Sequence, residues 1–284
     1  TRSTSVLNST QAFELYNGGH PMPDYVTHSK GSDLVAYWKL YTSEFIPATG
    51  EKRTVDDSGQ SNHLRQPPGE SNYFGSAIYF VEGAPTAITH APSQVSAVVF
   101  NGPGTNKYLA MSEDSDDLDV LVPSENRDAP FAIAFWINTN GITGAEYRYQ
   151  HIVNKYGGTG TGDSGGYILM INGNYGNGDI EFRLTGSKNN SSYYNEFYSP
   201  EVGGETILES SVGTWVHIAV VYTPDADNSG DDETVQFYKN GVPWGSPVST
   251  GSSSYVSSSE STQPFAVGKY YNNNGSQLYS KLSS

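Results

Sequence analysis

The strongest constraint on the fold is a repeated alternation of apolar and polar side chains with a period of two residues. It recurs in six segments, at residues 132–137, 167–171, 180–184, 215–222, 234–238 and 264–267. Successive side chains of a β-strand point to opposite faces, so this pattern predicts strands. We find no long segment with apolar side chains at helical spacing. The sequence therefore predicts an all-β chain.

Turn residues separate these segments. Asn-Gly pairs stand at 172–173, 177–178, 240–241 and 274–275, and such pairs favour the left-handed backbone of tight hairpins. The pair at 240–241 directly follows an alternating segment and predicts a hairpin there. Many short strands without intervening helices favour an antiparallel sandwich of two sheets.

Composition excludes several classes of function. The 284 residues include 30 acidic and 15 basic side chains, a net charge of −15, and no cysteine. Disulfides, cysteine-ligated metals and cysteine nucleophiles are therefore absent. The acidic balance argues against nucleic acid as a partner, because phosphate binding needs clustered Lys and Arg. No apolar run approaches the roughly 18 residues needed for membrane insertion.

Residues 1–32 differ from the rest. They are polar, carry Gly18-Gly19 and Pro21-Met22-Pro23, and show no sustained period. We predict an N-terminal arm or tether over 1–32 and a single domain over 33–284.

Several strand-like and turn-like segments occur in an order that resembles one family. They are residues 34–40 (LVAYWKL), 56–63 (DDSGQSNH), 98–102 with 107–109, 131–137 (FAIAFWI), and 214–220 with 235–241. Together they resemble the laminin-G-like, concanavalin A-like jelly rolls of bacterial and phage surface proteins. The resemblance implies a two-sheet β-sandwich over residues 33–270. Its members include lectins, glycosidases, protein-binding modules and spacers, so it leaves the function open.

The family's usual closing strand is not recognised after residues 264–270. Three explanations stay open: a degenerate strand within 276–284, a truncated chain, or a strand donated by a neighbouring subunit. We favour truncation.

Catalytic patterns are not found. The glucan hydrolases of this fold carry a Glu-x-Asp-x-x-Glu strand, whereas the acidic run 113–119, which includes Glu113 and Asp116, has a different spacing. Neither a Gly-x-Ser-x-Gly elbow nor a His-Glu-x-x-His pair occurs. We therefore predict that the chain is not an enzyme.

One loop offers oxygen ligands for Ca²⁺. Asp225, Asp227, Ser229 and Asp231 surround Gly230 in the order of the first half of a calcium loop. Position twelve is Gln236 instead of Glu, so a solvated acidic loop is the alternative. Asp57 is a second candidate, for which turn capping is the alternative.

Tyrosine-rich loops are the candidate ligand-binding sites. Aromatic rings stack on sugar faces and also give rigid contact area for protein recognition. The candidate residues are Tyr147, Tyr149, Tyr193, Tyr194, Asn195, Tyr198, Tyr270 and Tyr271. By contrast, Trp38, Phe135, Trp136, Trp215 and His217 lie in predicted strands, where core packing or a place on a strand face is expected.

These observations favour a non-enzymatic adhesion or recognition domain on a larger assembly, such as a phage virion decoration, fibre or attachment protein. Expected partners are a cell-surface glycan or protein and other subunits of that assembly, at an extracellular or virion-surface location. Two alternatives remain: a carbohydrate-active enzyme or its ancillary carbohydrate-binding module, and a structural domain docked by its N-terminal arm.

Overall fold

The structure is a computed structural model. It describes residues 2–3, 6–17, 28–38, 44–46, 51–65, 78–81, 97–100, 109–111, 118, 121–122, 127–139, 149–156, 166–172, 178–188, 191–211, 213–224, 233–249 and 264–268.

The described part of the chain is mostly β-structure with one α-helix. The helix, α1, is Ser9–Tyr16. The strands are β1 (Arg2–Ser3), β2 (Leu34–Ala36), β3 (Glu44–Ile46), β4 (Glu51–Thr54), β5 (Leu64–Arg65), β6 (Ile78–Val81), β7 (Ala97–Phe100), β8 (Leu109–Ala110), β9 (Leu121–Val122), β10 (Arg127–Asp128), β11 (Phe131–Asn138), β12 (Tyr149–Tyr156), β13 (Gly166–Asn172), β14 (Asp179–Lys188), β15 (Ser191–Tyr198), β16 (Trp215–Thr223), β17 (Thr234–Lys239), β18 (Val242–Pro243) and β19 (Ala266–Val267).

Two antiparallel sheets form the sandwich. The small sheet has six strands in the order β18-β17-β16-β11-β1-β2, and the large sheet has nine in the order β15-β14-β13-β12-β19-β8-β5-β4-β3. The main core lies between them, with Phe131 and Tyr222 of the small sheet against Tyr167 and Phe182 of the large one. The predicted all-β sandwich is confirmed.

The predicted strands agree closely with the structure. All six alternating segments contain or overlap a strand of the two sheets. The hairpin at Asn240-Gly241 is confirmed: it joins β17 to β18, and both residues have positive φ, 52° and 77°. A Cβ on Gly241 would lie 2.9 Å from the Phe13 Cα, so glycine is required there for packing as well as for the turn.

The described part of the structure also contains one short helix, which a search for long helical periods does not find. Helix α1 begins with a capping box. Asn8 Oδ1 accepts from Gln11 N–H and Gln11 Oε1 accepts from Asn8 N–H, both at 3.0 Å. Ala12 and Leu15 face a second core on the outer face of the small sheet, with Ala219 among its residues. Within the described ranges, no helix is long and apolar enough to cross a membrane.

The N-terminal segment is integrated into the fold as far as it is described. Strand β1 pairs with both β11 and β2 inside the small sheet, and Leu7 is buried in the second core. Residues 2–3 and 6–17 thus pack against the small sheet. The division into an arm or tether over 1–32 and a domain over 33–284 stays a prediction.

The turn after β4 is held by the carboxylate of Asp56. The buried Asp56 carboxylate accepts from the backbone N–H groups of Tyr37, Ser58 and Asn62 and from the Ser58 hydroxyl, at 2.7 to 3.0 Å. Asp57 is exposed. The family-like motif at 56–63 thus ties the turn to the end of β2 through carboxylate hydrogen bonds.

Candidate functional site

The large sheet presents a polar outer face. Along β14, Ile180, Phe182 and Leu184 point into the main core. Because side chains alternate along a strand, Glu181 and Arg183 occupy the opposite face. We use "outer face" below for this side of the large sheet.

An ion network lies at the β13–β15 end of the outer face. The Arg183 guanidinium contacts Glu181 Oε1 at 2.7 Å and Glu196 Oε1 at 2.5 Å. Asn172 donates to Glu181 Oε2 at 2.8 Å, and the Tyr198 hydroxyl donates to Glu196 Oε2 at 2.8 Å. Three neighbouring strands therefore contribute to one connected set of charged and polar groups.

The electrostatics of this network follow from burial. Desolvation raises the pKa of Glu181, whose side chain is fully buried, although the charge of Arg183 acts against that rise. Desolvation also raises the pKa of Tyr198, together with the nearby charge of Glu181. Tyr198 is therefore a neutral phenol at physiological pH. Its half-buried ring and hydroxyl lie in β15, the edge strand of the sheet.

A second feature of the outer face lies at its centre. Asn154 of β12 is 1% exposed, and neither its Nδ2 nor its Oδ1 has a hydrogen-bond partner. It is paired with Ala266 on one side and Ile168 on the other, and Ala110 follows Ala266 in β8. A buried amide without partners is rare in folded proteins and needs an explanation.

His151 lies on the same strand and the same side as Asn154, across a β-bulge between His151 and Val153. Burial lowers its pKa to about 3, and the charge of Arg183 lowers it further. His151 is therefore neutral at physiological pH and adds no positive charge to the outer face.

The structure separates two of the predicted ligand-binding residues. Tyr198 lies on the outer face, next to Glu196. Asn195 is paired with Leu184 on the core side of β15, is 5% exposed, and donates to Glu233 Oε1 at 2.6 Å. This position gives Asn195 a packing role inside the sandwich.

The other predicted site residues are only partly covered by the structure. Tyr149 lies within β12, and Tyr193 and Tyr194 lie within β15, where backbone pairing is described. Tyr147, Tyr270 and Tyr271 lie outside the described residues, as do Asp225, Asp227, Ser229 and Asp231. The calcium site therefore stays a prediction. Elsewhere, the residues that are described contain no group of three or more His, Asp or Glu that could hold a metal ion.

Sequence reasoning missed Glu181, Arg183, Asn172 and Asn154. A signal for the first two was present, because residues 179–184 (DIEFRL) alternate charged and apolar side chains. That alternation places both charges on one face once the segment is a strand. The pairings with Asn172 and Glu196 depend on the register of three strands, which the pattern of one strand does not supply.

Comparison with known proteins identifies the family. Residues 104–282, more than half of the chain, match the laminin-G-type family model described as the concanavalin A-like lectin/glucanases superfamily. No curated protein and no solved structure matches the chain. The matched region includes β13 to β15, which carry the ion network, and the strand order agrees with a two-sheet sandwich. The chain therefore belongs to the concanavalin A-like lectin/glucanase superfamily.

Proposed function

We propose that this chain is a non-catalytic recognition domain that binds carbohydrate through the outer face of the large sheet. Membership of the superfamily supports carbohydrate or protein binding. We favour carbohydrate over protein as the ligand because Tyr198, Glu196 and Arg183 form one group at the edge of the sheet. Sugar rings stack on aromatic faces, and their hydroxyls need fixed charged or amide partners.

The same geometry supports a non-catalytic role. Hydrolysis of a glycoside requires two carboxyl groups that both reach the substrate, one as acid and one as nucleophile or base. Here Glu181 and Glu196 share the guanidinium of Arg183. The Glu181 side chain has no exposed surface, so it does not contact a ligand in this conformation. The carboxylate of Glu196 and the neighbouring phenol of Tyr198 therefore suit the binding of a sugar better than its hydrolysis.

The test is a glycan array followed by calorimetric titration of the glycans that bind. Tyr198→Ala is expected to weaken binding by about tenfold or more, because aromatic stacking and one hydrogen bond are lost. Phe13→Ala is the matched control, since Phe13 is 53% exposed on α1, which covers the other sheet. Equal affinity of the wild type and Tyr198→Ala for every bound glycan would contradict the proposed site.

Protein recognition is the second candidate, favoured by an apolar surface beside the small sheet. Phe13 is 53% and Val242 58% exposed, and α1 contacts β18. Contiguous exposed apolar side chains are typical of protein contacts. A protein partner bound here would lose affinity with Phe13→Ala and keep it with Tyr198→Ala, the reverse of the carbohydrate result.

Display on a larger assembly, such as a virion, is part of the proposal and rests on the resemblance to surface modules. Its test is co-purification of the chain with particles or cell envelopes. Structural calcium at Asp225 and Asp227 is proposed on the loop sequence. A chelator should then lower the melting temperature, and an unchanged melting temperature would exclude a stabilising ion.

A further inference from the structure

We propose that the site at Tyr198 selects a sugar that carries an ammonium group, and that the buried Glu181 sets this selectivity by binding the charge of Arg183 within the sheet. This inference rests on the proposed function and adds the chemical class of the sugar. Glu196 binds the ammonium group, and the ring of Tyr198 lies against the sugar. Glu181 acts through Arg183 without touching the ligand, so it is a positioning residue.

The guanidinium of Arg183 is held mainly by the buried carboxylate. Its Nε donates to Glu181 Oε1 at 2.8 Å, and its Nη2 lies 2.7 Å from the same oxygen. The Nη2 group also reaches Glu196 Oε1 at 2.5 Å. Asn172 donates to the other oxygen of Glu181 at 2.8 Å and fixes that carboxylate in turn. Glu181 therefore orients the guanidinium and shares its positive charge with Glu196.

The charges of this network do not cancel. Both oxygens of Glu181 accept hydrogen bonds, and so do both oxygens of Glu196, one from Arg183 and one from the Tyr198 hydroxyl. Carboxyl groups that only accept are ionised. Two carboxylates thus surround one guanidinium, which leaves a surplus of one negative charge. Glu181 causes the surplus, because Arg183 alone would neutralise Glu196.

The surroundings of the network are also negative. Asp179 precedes Glu181 by two residues and shares its side of β14. Burial raises the pKa of Asp179, and the charges of Glu201 and Glu209 raise it further. Burial likewise raises the pKa of Tyr198, followed by the charge of Glu181. The negative field therefore reaches the phenol, where it attracts a cation and repels an anionic sugar.

The part of the network that faces solvent can receive such a cation. The Glu196 side chain is 27% exposed, and Tyr198 is half-buried on the edge strand. A carboxylate has about four lone-pair sites, so Glu196 can accept an ammonium N–H in addition to its present bonds. Ammonium groups also bind favourably over aromatic rings. A hexosamine with a free amine offers both an ammonium group and a ring face in one sugar unit.

The experiment compares two forms of one ligand on the full chain by calorimetry. Oligomers of glucosamine and of N-acetylglucosamine have the same ring and linkage, but only the first carries ammonium groups, at pH 6.0. We expect the glucosamine oligomer to bind about tenfold or more tightly, because the acetylated form loses the charge-assisted hydrogen bond. Added salt should reduce this preference. Glu196→Gln should remove it, and Glu14→Gln, the matched control on α1 over the other sheet, should keep it.

Glu181→Gln separates the positioning role from a structural one. Gln keeps the size of the side chain but carries no charge, so Arg183 then neutralises Glu196. We expect the preference for the glucosamine oligomer to fall to about threefold or less. A residue with only a structural role would weaken both oligomers by the same factor and leave their ratio unchanged. If Glu181→Gln does not fold, Glu196→Gln and the salt series decide the test.

The possible outcomes distinguish this inference from the proposed function. Equal binding of the two oligomers, binding of neither, or a preference that survives Glu196→Gln or Glu181→Gln overturns the inference. A lysine oligomer that binds as tightly, with the same dependence on Glu196, would overturn it in favour of a basic peptide. Binding of a neutral glycan that depends on Tyr198 would still support the proposed function. If no glycan binds in a manner that depends on Tyr198, that proposal fails as well.

Discussion

Acid should destabilise this protein through His217, which lies beneath helix α1. Its side chain is buried on the outer face of the small sheet, with the Trp136 ring at 5.3 Å and the Tyr16 ring at 6.1 Å. Its Nδ1 has no hydrogen-bond partner. Burial lowers the pKa of His217 from 6.5 to about 3. The folded protein therefore holds this ring neutral, whereas the unfolded chain protonates it near pH 6.5.

The sign and size of the effect follow from this difference. Between pH 6.5 and 3 the unfolded state binds more protons at this site, so the free energy of unfolding falls as the pH falls. The stability contributed by neutral His217 is fully present above pH 6.5. At pH 5 the loss is 1.5 pH units at about 1.4 kcal/mol each, or about 2 kcal/mol.

The assay is urea unfolding of the wild type and His217→Phe at pH 7.5 and pH 5.0. Phe keeps a ring against Trp136 and α1 and cannot be protonated. When the pH is lowered from 7.5 to 5.0, the free energy of unfolding of the variant should fall by about 2 kcal/mol less than that of the wild type. The difference between the two proteins reports on His217 alone, because the other shifted groups are present in both. These groups include His151, with a similarly lowered pKa, and Glu181, with a raised pKa. A constant difference between variant and wild type would refute the reasoning, and His217→Gln repeats the test if His217→Phe does not fold.

Three further substitutions test the packing of the fold by urea unfolding. Leu15→Ala should lower the free energy of unfolding by about 2–5 kcal/mol, because Leu15 fills the second core. Gly241→Ala should destabilise by more than Gly213→Ala: both glycines have positive φ, 77° and 74°, but only the Cβ at Gly241 would meet helix α1, at 2.9 Å. Asp56→Ala should cost about 3 kcal/mol or more, because four hydrogen bonds are lost from buried groups, and Asp57→Ala, at an exposed position, should cost less. An equal loss within either matched pair would contradict the structural reason given for it.

The sheets could be predicted from sequence because their signal is local. Along residues 179–184 of β14, the apolar residues face the main core and the charged ones lie on the opposite face, so the period of two is preserved. The Asn240-Gly241 turn could be predicted locally as well, because Asn-Gly pairs favour the positive φ that both residues adopt. The separation of Asn195 from Tyr198 could also have been predicted, because Phe197 points to the core and residue 195 shares its side of the strand.

Helix α1 could not be found by a search for long helical periods. It is 8 residues long and buries only Ala12 and Leu15, which is too few for a periodic pattern. Two weaker signals were present. The Asn8-x-x-Gln11 capping box marks a helix start. The almost continuous apolar run of β16, buried from Val216 to Tyr222, indicates a strand covered on both faces.

The two outer faces of the sandwich differ in a way that bears on function. The outer face of the small sheet is covered by α1, which packs on a cluster that includes Ala132, Ala219 and Val221, and His217 is buried beside it. The outer face of the large sheet keeps Asn154, Glu181, Arg183 and Asn172 in buried or half-buried positions. Polar groups lower stability when they are buried, unless they are paired. Buried polar groups of this kind lower stability, so the face that retains them is where we expect recognition to take place.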